Sequence, residues 1–150
     1  MNLWKKYARN AGLENRGFSL RFEQGIDPEF RQLCLTFAAW LRRRYRFPVH
    51  LNIYIKNCKT ITLLDGRKAY GGFRYFEQKP PYIRIPAQYD PEKQKGWDPL
   101  EIHYSILGSL IHELTHYFQW VEGAEQTESQ ANYYRFRILR QFCEDRGLPY

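Results

Sequence analysis

Residues 98–123 constrain the fold most, because they spell out a helix with an explicit start and stop. Asp98-Pro99-Leu100-Glu101 reads as an N-cap, an N1 proline and a capping-box acid at N3. Leu107, Leu110, Ile111, Leu114, Phe118 and Val121 then recur at helical spacing as one apolar stripe. The helix is expected to run to about Val121, with Gly123 as its C-cap. Thr127-Glu128-Ser129-Gln130 has the form of a second capping box and opens a last helix to about Asp145. Its core face is Ala131, Tyr134, Ile138, Leu139, Phe142 and Cys143, and Arg146-Gly147 closes it.

The rest of the chain must supply the layer against which this pair packs. Asp27-Pro28 caps a helix over about 28–45, with Phe30, Leu33, Cys34, Phe37, Ala38, Leu41 and Tyr45 on its apolar side and Pro48 stopping it. The first 26 residues have weak periodicity and read as a short helix followed by an irregular arm. From Phe47 the period changes to two: Phe47, Val49, Leu51, Ile53 and Ile55 alternate with polar or half-polar residues, as in a half-buried strand. Thr60–Leu64 and Lys68–Tyr75 flank Asp65-Gly66, a hairpin signal. Gly71-Gly72 marks a bulge or a close backbone approach. Tyr82-Ile83-Arg84-Ile85 is a short strand among Pro80, Pro81 and Pro86, which favours a sheet edge. The order is N-terminal helix, small mostly antiparallel sheet, helix, helix, which is α+β and fits one domain over residues 1–150.

Composition narrows the class without naming a function. Apolar residues at 43% and charged residues at 26% describe a globular chain, and no run reaches the ~20 apolar residues of a membrane span. Cys34, Cys58 and Cys143 are widely spaced, which excludes a cysteine-based zinc knuckle and suggests a reducing compartment. No apolar h-region follows Lys5-Lys6, so a cytoplasmic protein is expected. The net charge of +7 is uneven: residues 98–150 hold four Lys or Arg against eight Asp or Glu, while residues 1–97 are basic. A basic body can attract nucleic acid, yet no nucleic-acid motif accompanies it.

The acidic third holds the chemistry. His112-Glu113-Leu114-Thr115-His116 is an H-E-x-x-H motif, of which this composition would yield roughly 0.01 by chance. On a helix the two histidines lie about 40° apart and one turn apart in height, so both imidazoles reach one ion. With Leu107 at zero, they lie near ~140° and ~180°, opposite the apolar stripe. Glu113 flanks their face, placed to hold a water without binding the metal itself. A catalytic zinc normally takes three protein ligands. His103 lies about 180° from His112 and reads as a core histidine, and His50 reads as structural in its strand. No histidine follows His116, which leaves Glu122, Glu125, Glu128, Glu144 or Asp145. Glu128 is preferred, because it starts a helix that a glycine turn can fold back and sits at the positive end of that helix dipole. Ala131 one turn later allows a close helix crossing, and Glu125 is the runner-up.

H-E-L-T-H followed by E-S-Q-A-N resembles the gluzincin class of zinc peptidases, in which an H-E-x-x-H helix pairs with a "glutamate helix". Within that class the E-x-x-A-N form is most similar to ImmA/IrrE-type peptidases, and the small size also resembles minimal gluzincins. The resemblance covers roughly residues 105–136, and no helix-turn-helix sequence accompanies it. It implies a zincin-like fold, one Zn²⁺ per chain held by His112, His116 and Glu128, and Glu113 as general base in peptide-bond hydrolysis. It also implies a peptide or protein substrate lying along an edge strand, for which Tyr82–Pro86 is the candidate, and a further oxyanion donor, for which Tyr70, Tyr133 and Tyr134 are possibilities. Two rivals remain: a zinc-stabilised regulatory module that cleaves nothing, and a nucleic-acid-associated protein using the basic residues.

Overall fold

In a computed structural model that describes residues 2–12 and 14–150, the capped segment forms a 24-residue helix enclosed on nearly every side. Two 3₁₀ turns (Trp4–Tyr7 and Arg9–Ala11) lead into β1 (Phe18–Phe22), α1 (Pro28–Arg44) and β2 (Leu51–Lys56). A small hairpin of β3 (Ile61–Thr62) and β4 (Lys68–Ala69) precedes β5 (Gly72–Arg74) and β6 (Tyr82–Pro86). The chain ends in α2 (Pro99–Glu122) and α3 (Glu128–Arg146). The architecture is α+β, with three helices and a small mixed sheet.

The caps of α2 are formed as the sequence predicts. Asp98 Oδ1 accepts from the Glu101 amide at 2.9 Å, and Gly123 turns the chain at φ 74°. The buried residues of α3 are the six expected ones. On α1 the buried set also includes Trp40, whose indole donates to Asp145.

Three expectations about the sheet and the N-terminal arm fail, each for a physical reason. The sheet is mixed rather than mostly antiparallel: its order is β1-β2-β6-β5, with β1, β2 and β6 parallel and only β5 antiparallel to β6. Parallel neighbours need long crossovers. α1 supplies one between β1 and β2, and residues 57–81 supply the other. The N-terminal arm is not irregular throughout, because Phe18, Leu20 and Phe22 alternate with Ser19 and Arg21 in a strand paired with β2. Nor is Tyr82–Pro86 an edge. It lies between β2 and β5, with Ile83 and Ile85 fully buried. Its prolines stand before the strand and at its last residue, opposite Lys56, so they remove no ladder donor from its middle. The terminal strand beside β6 is β5.

Leu51, Ile53 and Ile55 of β2 face the core, and Asn52, Tyr54 and Lys56 are half-buried on the other face. α2 packs on β5 and β6, and α3 lies along α2. The N-terminal turn completes this layer. Trp4 stacks edge-on with Phe118 and Tyr45, and its indole donates to Thr115 Oγ1 at 3.1 Å. The Leu3 amide donates to the Tyr134 hydroxyl. No helix among the described residues is long and apolar enough to cross a membrane.

Trp4 is 1% exposed and ties α2 to the chain's first turn. Trp4→Ala is therefore expected to lower unfolding free energy by about 3–5 kcal/mol in urea titration, with Tyr134 losing an organised neighbour.

Candidate functional site

The turn after Gly123 folds α3 back so that its first residue, Glu128, meets both histidines of α2. His112 Nε2 lies 2.8 Å from Glu128 Oε2, and His116 Nε2 lies 3.1 Å from Oε1. One nitrogen or oxygen from each residue falls within 4.8 Å of the others, which is the spacing of a metal site. The other carboxylates considered are engaged or remote. Glu122 pairs with Lys6, Glu144 with Arg140, Asp145 with Arg44 and Trp40, and Glu125 is exposed in the turn.

Gln119, one turn after His116, is a partner that ligand spacing alone does not announce. It is fully buried and its amide nitrogen faces three acceptors: Thr127 O, Thr127 Oγ1 and Gln130 Oε1. Those acceptors fix the amide, so Oε1 faces His116 Nδ1 at 2.8 Å and accepts its hydrogen. The Nε2 lone pair of His116 is thereby turned toward Glu128. Thr127 and Gln130 do not form the expected capping box: no side-chain cap closes on the α3 amides, because both oxygens are taken by Gln119. His112 is held differently. Among the described residues its buried Nδ1 has no hydrogen-bond partner, and its Nε2 contact with Glu128 and edge-on packing against His116 orient the ring. Burial lowers the His112 pKa despite the carboxylate beside it, so the imidazole is neutral at neutral pH.

This donor set fits a divalent cation. With a hydrogen already on Nδ1, the His116 Nε2–Glu128 contact needs a proton on one partner, and a cation satisfies the same pair without it.

Glu113 lies under β5, 9% exposed. A Cβ on Gly71 would come within 3.1 Å of Glu113 Cγ and Oε2, so the close approach expected at Gly71-Gly72 is where the sheet covers this carboxyl. Burial, then the Glu128 charge, push the Glu113 carboxyl up to about 8, with Arg135 opposing them. The cleft over these residues has a volume of about 360 Å³ and is walled by Gly71, Gly72 and Phe73 on one side and Gln126 on another.

The remaining sequence candidates are elsewhere. His50 bonds Ser19 and the Arg16 carbonyl. His103 is half-buried rather than in the core, paired with Asp27 at 3.0 Å and tilted against Phe30. The Tyr134 hydroxyl serves Leu3, Tyr133 lines a separate groove, and Tyr70 donates to Asp90 at 2.8 Å. Arg135, missed in the sequence, stands seven residues after Glu128, two turns along the same face of α3. That spacing was its only available signal. Comparison with protein-family models, curated proteins and solved structures finds no significant match to this chain.

Glu113 is a buried acid whose folded pKa exceeds its unfolded value. The folded state then binds more protons than the unfolded state between about pH 4.5 and 8, so stability falls as pH rises through that window. In chelator-treated protein, wild type should lose on the order of 3 kcal/mol more than Glu113→Gln between pH 5 and 8. Parallel denaturation curves for the two would contradict the buried-acid assignment.

Proposed function

We propose that this chain is a zinc-dependent peptidase of gluzincin type with a zincin-like arrangement of its helices. The observation that carries the reading is the convergence of His112 Nε2, His116 Nε2 and Glu128 on one point, with Glu113 beside it. A zinc ion held there would polarise a scissile carbonyl and acidify a water.

The chain's own groups do the rest. Glu113 accepts the water proton and returns it to the leaving amine as the C–N bond breaks. Gln119 holds His116 in the ligating tautomer, and Gly71 keeps β5 close over Glu113. Substrate would lie in the cleft along β5, because β6 is interior and β5 is terminal. Beyond the metal ligands, Phe73 and Trp120 pack at 6.1 Å and Tyr75 stacks on Trp120, forming an aromatic wall at that end of the strand. A reducing, cytoplasmic setting suits three thiols of which Cys34 and Cys143 are buried.

Purified wild type should bind about one zinc per chain, and His112→Ala, His116→Ala or Glu128→Ala should each lose most of it, while Glu125→Ala keeps it. Glu113→Gln should retain zinc and hydrolyse no peptide, because the amide keeps the shape but takes up no proton. Wild type that takes up no added zinc, or Glu113→Gln that still cleaves, would sink the reading.

A further inference from the structure

The four-stranded sheet has a helix-covered face and an open one. Ile53, Ile55, Ile83 and Ile85 point inward, where α2 packs on β5 and β6. α1 joins that side by packing Phe30 on His103 of α2 and Phe37 on Phe142 of α3. Side chains alternate along a strand, so the positions between these point the other way. The register sets out two rows on that outer face: Ser19, Asn52, Tyr82 and Arg74, then Arg21, Tyr54, Arg84 and Gly72, with Lys56 beyond. The β3–β4 hairpin covers the Gly72 corner. A Cβ on Gly72 would come 3.1 Å from Ile61 Cδ1, and the Thr62 carbonyl accepts from Arg84 Nη2 at 3.1 Å.

Every charged side chain in these four strands is positive, and every one is on the outer face. They are Arg21, Lys56, Arg74 and Arg84, and the strands hold neither Asp nor Glu. Lys56 pairs with Glu23 at 3.2 Å. Among the described residues the three guanidinium groups form no ion pair. The loop from β5 to β6 adds Lys79 and one acid, Glu77. Aromatic rings fall between the cations. Tyr54 meets Tyr82 edge-on at 6.1 Å, and Phe76 follows Tyr82 at 5.8 Å. All three are half-buried, so part of each ring is at the surface. Arg84 lies over Tyr82 at 5.8 Å, and Arg74 and Lys79 lie over Phe76 at 5.1 and 4.2 Å.

We infer that this open sheet face docks single-stranded nucleic acid, with phosphates on Arg21, Arg74 and Arg84 and bases on Tyr54 and Tyr82. Each nucleotide carries one anion and one flat ring, and the face offers cations and rings in alternation. Bases stack on guanidinium planes as well as on rings, so Arg84 over Tyr82 and Arg74 over Phe76 extend the platform. A four-stranded sheet that presents aromatics this way has room for two or three bases. Half-buried rings on a sheet floor are reached by an unstacked base and not by a paired one, which selects a single strand over a duplex. An acidic peptide would use the cations and leave the rings idle. A bilayer surface would need protruding apolar groups, and the outward positions hold no Leu, Ile or Val. The inference stands apart from the peptidase reading, because Gly71 faces Glu113 on the inner side and Gly72 faces outward.

The test is fluorescence anisotropy with labelled oligo-dT and oligo-U strands about ten nucleotides long. A dT·dA duplex of the same length, polyglutamate and phosphatidylserine vesicles serve as competitors. Each titration is run on zinc-supplemented and on chelator-treated protein. The single strands should bind with Kd of about 1–100 µM at physiological salt in both metal states. Log K should fall with log salt at a slope of about −2, which is ~0.7 for each of three phosphates. Arg74→Gln should lower that slope by ~0.7, whereas Tyr54→Leu should weaken binding about fivefold or more at unchanged slope. Tyr82→Leu carries the same test if Tyr54→Leu does not fold. Arg137→Gln, in the groove along α3, should change neither quantity. The tighter of the dT and U strands tells DNA from RNA. Four results overturn the surface: no binding of either strand, equal binding of the duplex, displacement by polyglutamate or vesicles at equal charge, or an Arg137→Gln loss as large as that of Arg74→Gln. Failure of the zinc reading shows separately, as no zinc uptake with strand binding intact.

Discussion

The site depends on one buried amide. Gln119 has no solvent exposure, and its two ends are committed in opposite directions: Oε1 to His116 on its own helix, Nε2 to Thr127 and Gln130 at the start of α3. A buried amide left half-satisfied would cost ~1–3 kcal/mol, so α3 is held where these acceptors meet the amide. Glu128 lies between Thr127 and Gln130 in sequence, and its carboxylate is therefore delivered to the histidines by the same contacts that orient His116. The geometry of the His112, His116 and Glu128 cluster and the α2–α3 junction are one structure.

That arrangement is costly, because it places polar groups inside a helix with almost no free face. Ser109, Glu113, Thr115, His116 and Gln119 are all buried on α2. Most are satisfied: Ser109 by Ser105, Thr115 by Ile111 and Trp4, and His116 by Gln119 and Glu128. Glu113 differs: burial and the Glu128 charge both push its carboxyl up, and the Arg135 charge opposes them. Tension of this kind gathers at groups that handle protons. A hydrophobic residue at 113 would suit packing better, and structure alone gives no reason for an acid there.

What could be read from the chain follows the range of the interaction that decides it. The caps of α2, the apolar stripes and the glycine approach at Gly71 are local, and they appear where the residues put them, whereas the capping box at Thr127 does not form. Glu128 was reachable because a glycine turn and a helix start together fix its direction. The parallel pairing of β1 with β2 was not, since it depends on which strands a crossover brings together rather than on either strand's pattern. Prolines near Tyr82–Pro86 suggest an edge only if they fall within the ladder, and a shift of one residue decides that. Gln119 and Arg135 look like ordinary helix residues in sequence. Their roles come from the opposite helix, through Thr127 and Gln130 for one and Ser105 and Gly108 for the other.

The central claim is a three-ligand site in which both imidazoles bind through Nε2. An X-ray structure of zinc-soaked crystals, with anomalous data collected on both sides of the zinc edge, tests it most directly. The account predicts one strong anomalous peak at ~2.0–2.2 Å from His112 Nε2, His116 Nε2 and a Glu128 oxygen, with Gln119 Oε1 still on His116 Nδ1. A peak elsewhere on the protein, or none between these three side chains at saturating zinc, would contradict it.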